Sequence, residues 1–475
     1  MKHGLFLGVM CILLCSCVGK NVKTEVAMTD PVKPQELTIE QFPTVGSLCD
    51  SSDSEKRSID IGECTLFCEI EGKGTPIVLI NGGPGDTHHS FHPWLSALKD
   101  TFTVIYYDQR GCGASDYKPM EGYSFDQTVD DLENLRKALK YDKWIVLGFS
   151  YGGAIAQYYT IKYPESVLGQ ILVGAVPMMQ NIPLQNRDKE LFSDDDMKIF
   201  KEIDAMYALK KIDLKTMIYN KNLHGFWKKG TYFEPSRERL IAAMNHDAKY
   251  DPKFTSDYRI YKFDHVFETC PVPTLILEGK YELNWSSEKP ALFKENHRNA
   301  EVVIIDNARH YIFRDQPEQF MKEIKRWGVA LKKTDTGKIT AWKKTAMSLL
   351  GDQLAPIAQN RSFLRIIEAK GVKEAVTYYH SFKKTNPGKV CFNEASINAV
   401  GYHRLMDEKI DEAIALFSLN VLEYPDSWNA FDSLAEAQLK KGNREDAIKN
   451  YKRSLELNPE NANGQAVLKE LEEKK

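Results

Sequence analysis

Trp144-Ile145-Val146-Leu147-Gly148-Phe149-Ser150-Tyr151-Gly152-Gly153-Ala154-Ile155-Ala156 sets a serine between glycines where an apolar, strand-like run meets an Ala-containing, helix-like one. A strand-to-helix turn this tight has no room for side chains on its flanks. Gly148 and Gly152 leave that room, and Ser150 is forced into a strained conformation with its hydroxyl exposed. The string reads as a nucleophile elbow, although by itself it also suits a plain strand-helix loop. Its partners must therefore be sought further along the chain.

An acid and then a histidine should follow in chain order, each at the end of a later strand. Pro273-Thr274-Leu275-Ile276-Leu277-Glu278-Gly279 is a β-rich apolar run leading to Glu282. A second run, Glu301-Val302-Val303-Ile304-Ile305, leads to His310, and a helix is expected to start near Pro317. A serine hydroxyl is a weak nucleophile until a base takes its proton. His310 is the expected base, and Glu282 the acid that orients its imidazole and stabilises the imidazolium. Upstream, Pro76-Ile77-Val78-Leu79-Ile80-Asn81-Gly82-Gly83-Pro84-Gly85 is a buried-type strand entering a glycine turn. Backbone N–H groups meet a developing oxyanion closely only where no side chain intrudes, so the N–H groups of Gly83 and Tyr151 are the expected oxyanion hole.

Three motifs taken together, Asn81-Gly82-Gly83-Pro84-Gly85, Asp108-Gln109-Arg110-Gly111-Cys112-Gly113-Ala114-Ser115 and Gly148-Phe149-Ser150-Tyr151-Gly152-Gly153, resemble those of the proline iminopeptidases and related aminopeptidases of the α/β-hydrolase fold. The resemblance covers about residues 57–330. Family members read His-Gly-Gly-Pro-Gly in the first motif and carry Asp as the triad acid, where this chain has Asn81 and Glu282. Asn81 leaves the glycine backbone unchanged, and Glu282 is one methylene longer but still able to accept from imidazole. Asp108 and Arg110 are expected to brace a loop. The resemblance also implies a helical cap whose carboxylates hold the free amine of a short peptide. Glu190, Glu202, Glu234 and Glu238 are the candidates. In some relatives a second glutamate follows the triad acid; here that position is Leu283.

The chain has 475 residues, enough for two or three domains, with 63 basic and 66 acidic residues and no basic stripe with interleaved aromatics, so nucleic acid is not an expected partner. Lys2 and the apolar stretch Leu5 to Leu14, too short to span a bilayer, lead to Leu14-Cys15-Ser16-Cys17. This looks like a bacterial lipobox over residues 1–17, with Cys17 lipid-anchored in the cell envelope; a cleaved secretory peptide without lipid is the alternative. Residues 18–48 read as a tether. Cys64 and Cys68 fall in a strand-like segment, about 13 Å apart by strand rise and beyond disulfide reach. His88, His89 and His92 have no Glu-x-x-His or cysteine partner, so they read as a solvated helix start; no metal and no cofactor are expected.

Between Gly174 and Pro273 an insertion carries helical spacing over Asp194 to Leu209 and Ser236 to Lys249, giving a cap over about 178–265 within a hydrolase domain of 49–330. Beyond it, over 331–475, Ala413, Phe417 and Pro425 recur as Ala447, Tyr451 and Pro459, each pair 34 apart, and Gly371 to Pro387 echoes the pattern with Ala375 and Tyr379. This spacing resembles tetratricopeptide repeats, which bind a protein partner or stabilise their neighbour. The expected molecule is an α/β-hydrolase with a helical cap and an all-α repeat domain. Its expected activity is that of a serine aminopeptidase releasing N-terminal proline or similar residues from short peptides. An esterase or amidase on the same scaffold and a non-catalytic repeat-bearing binding protein stay open.

Overall fold

The computed structural model describes residues 54–83, 85–116, 124–179, 188–208, 224–230, 261–285 and 287–473, with positions 212, 217, 220, 221 and 258 between them. Cys17, the tether, Glu234, Glu238 and the stretch 236–249 lie outside the described residues.

Among the described residues eight strands form one sheet in the order β1-β2-β4-β3-β5-β6-β7-β8. They are β1 (Glu55–Asp60), β2 (Thr65–Glu71), β3 (Thr75–Ile80), β4 (Phe102–Tyr107), β5 (Trp144–Phe149), β6 (Val167–Val173), β7 (Thr274–Gly279) and β8 (Glu301–Ile305). The run from β4 to β8 is parallel, while β1 and β2 pair antiparallel with each other and β2 with β4. The sequence dictates this split. β3, β5 and β7 are nearly continuous apolar runs that must be covered on both faces, whereas β1 is largely charged and mostly exposed. Charged residues on an outer strand also discourage pairing with another chain.

Among the described residues the helices are α1 (Phe125–Ala138), α2 (Tyr151–Lys162), α3 (Asp188–Leu191), α4 (Asp194–Ala208), α5 (Lys289–Asn296), α6 (Ile312–Asp315), α7 (Pro317–Val329), α8 (Thr336–Lys370), α9 (Val372–Thr385), α10 (Glu394–Met406), α11 (Ile410–Glu423), α12 (Trp428–Lys441), α13 (Arg444–Leu457) and α14 (Ala462–Glu473). Alternate strand residues face opposite layers. Val78, Ile80 and Val146 join one core with α1 and α2, while Ile77, Leu79, Ile145 and Leu147 join the other with Phe320, Ile324 and Trp327 of α7. β3 lies between β4 and β5, so the connection out of β3 runs to β4 on one side while that out of β5 runs to β6 on the other, which opens a crevice at the carboxyl ends of β3 and β5.

The composition shift near residue 330 does not mark the edge of the hydrolase core. α8 repeats an apolar residue every fourth position, and Trp342, Ala346 and Leu350, with Ile357, complete the core that holds α1 and α2. Trp342 Nε1 donates to the Val266 carbonyl at 3.0 Å, and the Gln353 amide bonds both backbone groups of Lys262 at 3.0 Å. Beyond α9 the helices pair. α10 and α12 start at 394 and 428, α11 and α13 at 410 and 444, a displacement of 34 in both cases. Ala413, Phe417, Ala447 and Tyr451, the residues that set the sequence period, are all buried.

Candidate active site

The elbow is built by steric necessity. Ser150 has φ 53° and ψ −116°, a conformation that costs an L-residue on the order of 1–3 kcal/mol. Its N–H donates to Val173 O at 3.0 Å, and its carbonyl accepts from Gly153 N at 3.0 Å and Val176 N at 2.9 Å. These bonds to the end of β6 and the start of α2 hold the strained backbone. A Cβ at Gly148 would lie 2.2 Å from Gly152 O, and one at Gly152 would lie 2.1 Å from Ile80 O. Both positions therefore exclude any side chain, as the spacing predicts.

The loop after β3 closes against this elbow. A Cβ at Gly82 would lie 3.2 Å from that of Ser150, and Gly83 follows in a turn with φ 105°. Gln109, from the second motif, fixes the loop by donating its amide to Asn81 O at 3.1 Å and Asn81 Oδ1 at 3.0 Å. The Asn81 amide in turn donates to Asp86 O. Asn81 thus ties the two ends of the glycine turn together through its side chain. Tyr151 is the first residue of α2, where backbone N–H groups and the positive end of the helix dipole face outward.

His310 sits in the loop between β8 and α6, its ring centroid 5.0 Å from that of Phe149, the neighbour of Ser150. Its Nδ1 lies 2.7 Å from Glu282 Oε2. The other Glu282 oxygen accepts the N–H groups of Leu283 at 2.8 Å and Asn284 at 2.9 Å. Burial raises the affinity of Glu282 for a proton, but the charge and hydrogen bond of His310, the charge of Lys289 and the Asn284 amide outweigh it and hold the carboxyl down to about 2. An ionised carboxylate only accepts, so Nδ1 carries the hydrogen and the Nε2 lone pair is left for a proton from a nucleophile. The cap reaches this loop from above. Tyr311 N–H donates to Gly230 O at 2.9 Å, and Arg309 donates to Lys228 O, gripping both neighbours of His310.

Of the cap carboxylates named from sequence, Glu190 is exposed and Glu202 half-buried. Arg110 forms a bidentate pair with Asp131 at 2.7 and 2.8 Å, and Asp108 accepts His88 N and Nδ1 at 2.8 Å and Ala114 N at 2.9 Å, so both brace loops. The histidine cluster corrects the sequence expectation of a solvated helix start. His88 opens a short 3-10 turn and is buried, as is His92, whose Nε2 lies 3.0 Å from Glu69 Oε2. Burial pushes Glu69 up, but the hydrogen bond from His92 and the charges of His88 and His92 prevail and hold it at about 2. Cys64, Cys68, Cys112, Cys270 and Cys391 are buried free thiols.

A family model described as alpha/beta hydrolase fold matches residues 75–317. The chain is 30% identical to a proline iminopeptidase of Arabidopsis thaliana over 338 residues, which is 62% of this chain and 84% of that protein. It is 26% identical to a proline iminopeptidase of Saccharolobus solfataricus over 283 residues, 57% of this chain and 90% of the other. Among solved structures, an esterase from Exiguobacterium antarcticum matches with a TM-score of 0.45 at 22% identity, over 58% of this chain and 99% of that one. With a matched segment that holds the elbow, the acid and the histidine, the chain belongs to the alpha/beta hydrolase fold family.

Proposed function

We propose that the protein is a serine hydrolase that releases N-terminal proline or similar residues from short peptides. The observation that carries the reading is the 2.7 Å contact between Glu282 and His310 beside a strained serine elbow. In this mechanism Ser150 Oγ attacks the scissile carbonyl carbon as its proton passes to His310 Nε2. Glu282 stabilises the resulting imidazolium through Nδ1–H. The N–H groups of Gly83 and Tyr151 receive the oxyanion. Collapse breaks the C–N bond, the leaving amine takes the proton from His310, and an acyl ester remains on Ser150. Water activated by the same histidine then hydrolyses that ester and returns the serine hydroxyl. None of these steps requires a metal or cofactor.

The proline-releasing specificity rests on the likeness to the Arabidopsis and Saccharolobus proteins. A buried Leu283 beside the acid favours a second reading, an esterase or amidase that recognises no amine. A prolyl anilide with a free amine, its N-acetylated form and an aryl acetate separate the two. An aminopeptidase cleaves the free-amine anilide much faster, because a buried carboxylate left without its ammonium partner is costly. Equal anilide rates together with faster aryl acetate turnover would overturn the aminopeptidase reading and leave the hydrolase intact. We propose in addition that Cys17 anchors the enzyme to a membrane by lipid, and that the 34-residue helix pairs form a tetratricopeptide-like module offering a surface to a protein partner.

A further inference from the structure

One pair of buried charges near the triad takes no part in the steps above. Glu278 is the penultimate residue of β7, and Lys289 opens α5; each side chain is 1% exposed. Lys289 Nζ lies 3.0 Å from both carboxylate oxygens of Glu278 and is roofed by the rings of Trp285 at 5.7 Å and Phe293 at 5.5 Å. Glu282 follows Glu278 by four residues, within the same turn out of β7. Two buried carboxylates therefore serve one end of the site, only one of them bound to the imidazole.

We propose that Lys289 is a positioning residue for hydrolysis: by pairing with Glu278 it cancels the second carboxylate, so that Glu282 alone sets the electrostatic environment of His310. The proposal rests on the serine hydrolase reading. Carboxylates in low dielectric repel each other, and any ionised carboxylate nearby favours the protonated imidazole, which cannot accept from Ser150. Burial pushes the Glu278 carboxyl up, the Glu282 charge adds to this, and Lys289 opposes both. Among the described residues, the charged or polar groups that bear on His310 are Glu282 and Glu278 from the β7 end, Lys289 from α5, Arg309 and Tyr311 on either side of it in the loop, and Asp315 from α6, which accepts the Arg309 N–H at 2.9 Å. Lys228 meets that loop from the cap through its carbonyl. A pair kept only for packing would leave the protonation of His310 untouched.

The test is the pH dependence of kcat/KM for an aryl acetate, whose acid limb reports protonation of the free enzyme's base. Lys289→Met leaves Glu278 unpaired and should move the acid limb to higher pH by roughly half a unit or more, whereas Glu278→Gln leaves Lys289 unopposed and should move it to lower pH by a similar amount. The double variant, with no charge at either position, should return the limb close to that of the wild type. Lys289→Arg should restore the limb position relative to Lys289→Met, whatever its rate. Glu278→Gln keeps shape and an acceptor for Nζ, so it decides the matter alone if Lys289→Met fails to fold. An acid limb unmoved in Glu278→Gln overturns the proposal. If Ser150→Ala still hydrolyses the ester at the wild-type rate, it is instead the serine hydrolase reading that fails.

Discussion

Trp342→Ala should destabilise the hydrolase although residue 342 lies beyond the compositional break near 330. The indole is 4% exposed, its ring centroid is 5.9 Å from that of Phe267, and its N–H is spent on Val266 O. Truncating a buried Trp to Ala costs about 3–5 kcal/mol, from lost transfer energy, the cavity left behind and the carbonyl left unmet. At 2–4 °C per kcal/mol this lowers the melting temperature by roughly 10 °C. Thermal inactivation of aryl acetate hydrolysis, followed beside circular dichroism on the full chain, reads the effect in the domain that carries the site. A chain ending at Lys332 should be hit harder, since it also loses Ala346, Leu350 and Ile357 from the same core and the Arg361–Asp126 pair at 2.7 Å. If Trp342→Ala inactivates within about 2 °C of the wild type, or the truncated chain keeps wild-type stability, α8 is an attachment and not part of the hydrolase core.

Other expectations follow from the site and the N-terminus. Glu282→Asp should retain more activity than Glu282→Ala in steady-state kcat, because only Asp keeps a charge near the imidazole; equal rates would assign the acid elsewhere. Glu282 also links stability to pH. Its folded value of about 2 lies below the ordinary 4.5, so its contribution, on the order of 3 kcal/mol, is present above about pH 4.5 and lost as the pH falls through 2. Denaturation midpoints of Glu282→Gln should decline less steeply over that window than those of the wild type, and parallel curves would refute the linkage. Cys17→Ser should leave the protein out of the detergent-extracted membrane fraction, because two acyl chains hold a protein where one gives only marginal binding. A wild-type protein that is already soluble, with its N-terminus at another residue, would contradict the lipid anchor.

The elbow was legible because its constraint is local: Gly148, Ser150 and Gly152 are fixed by a clash between neighbours in the chain. β7 and β8 were also readable as apolar runs leading to Glu282 and His310, as were the helices from Asp194 and Pro317. What failed to show were pairings set by strand order. Glu69 on β2 meets His92 only because β2 lies beside β4, so His88 and His92, in a cluster that suggests a wet surface, are in fact buried. Glu278 and Lys289 each look unremarkable, an acidic strand end and a helix start, until the turn between them folds back. The same limit explains α8. Its apolar spacing signals an amphipathic helix, but periodicity says nothing about whether Trp342 docks on the hydrolase or on the repeats. The role of Gln109 was hidden for a related reason, since its partner Asn81 departs from the histidine expected there.

The central claim is that Ser150, activated by His310, forms the covalent intermediate. Its most direct test is labelling of the full chain with a fluorophosphonate, with the site of attachment read by peptide mass spectrometry. The expected result is one adduct on Ser150, formed at least about a thousandfold more slowly in His310→Ala, with ester hydrolysis lost in step with labelling. An adduct on another residue, or an unlabelled Ser150 in a protein that still turns over ester, would contradict it.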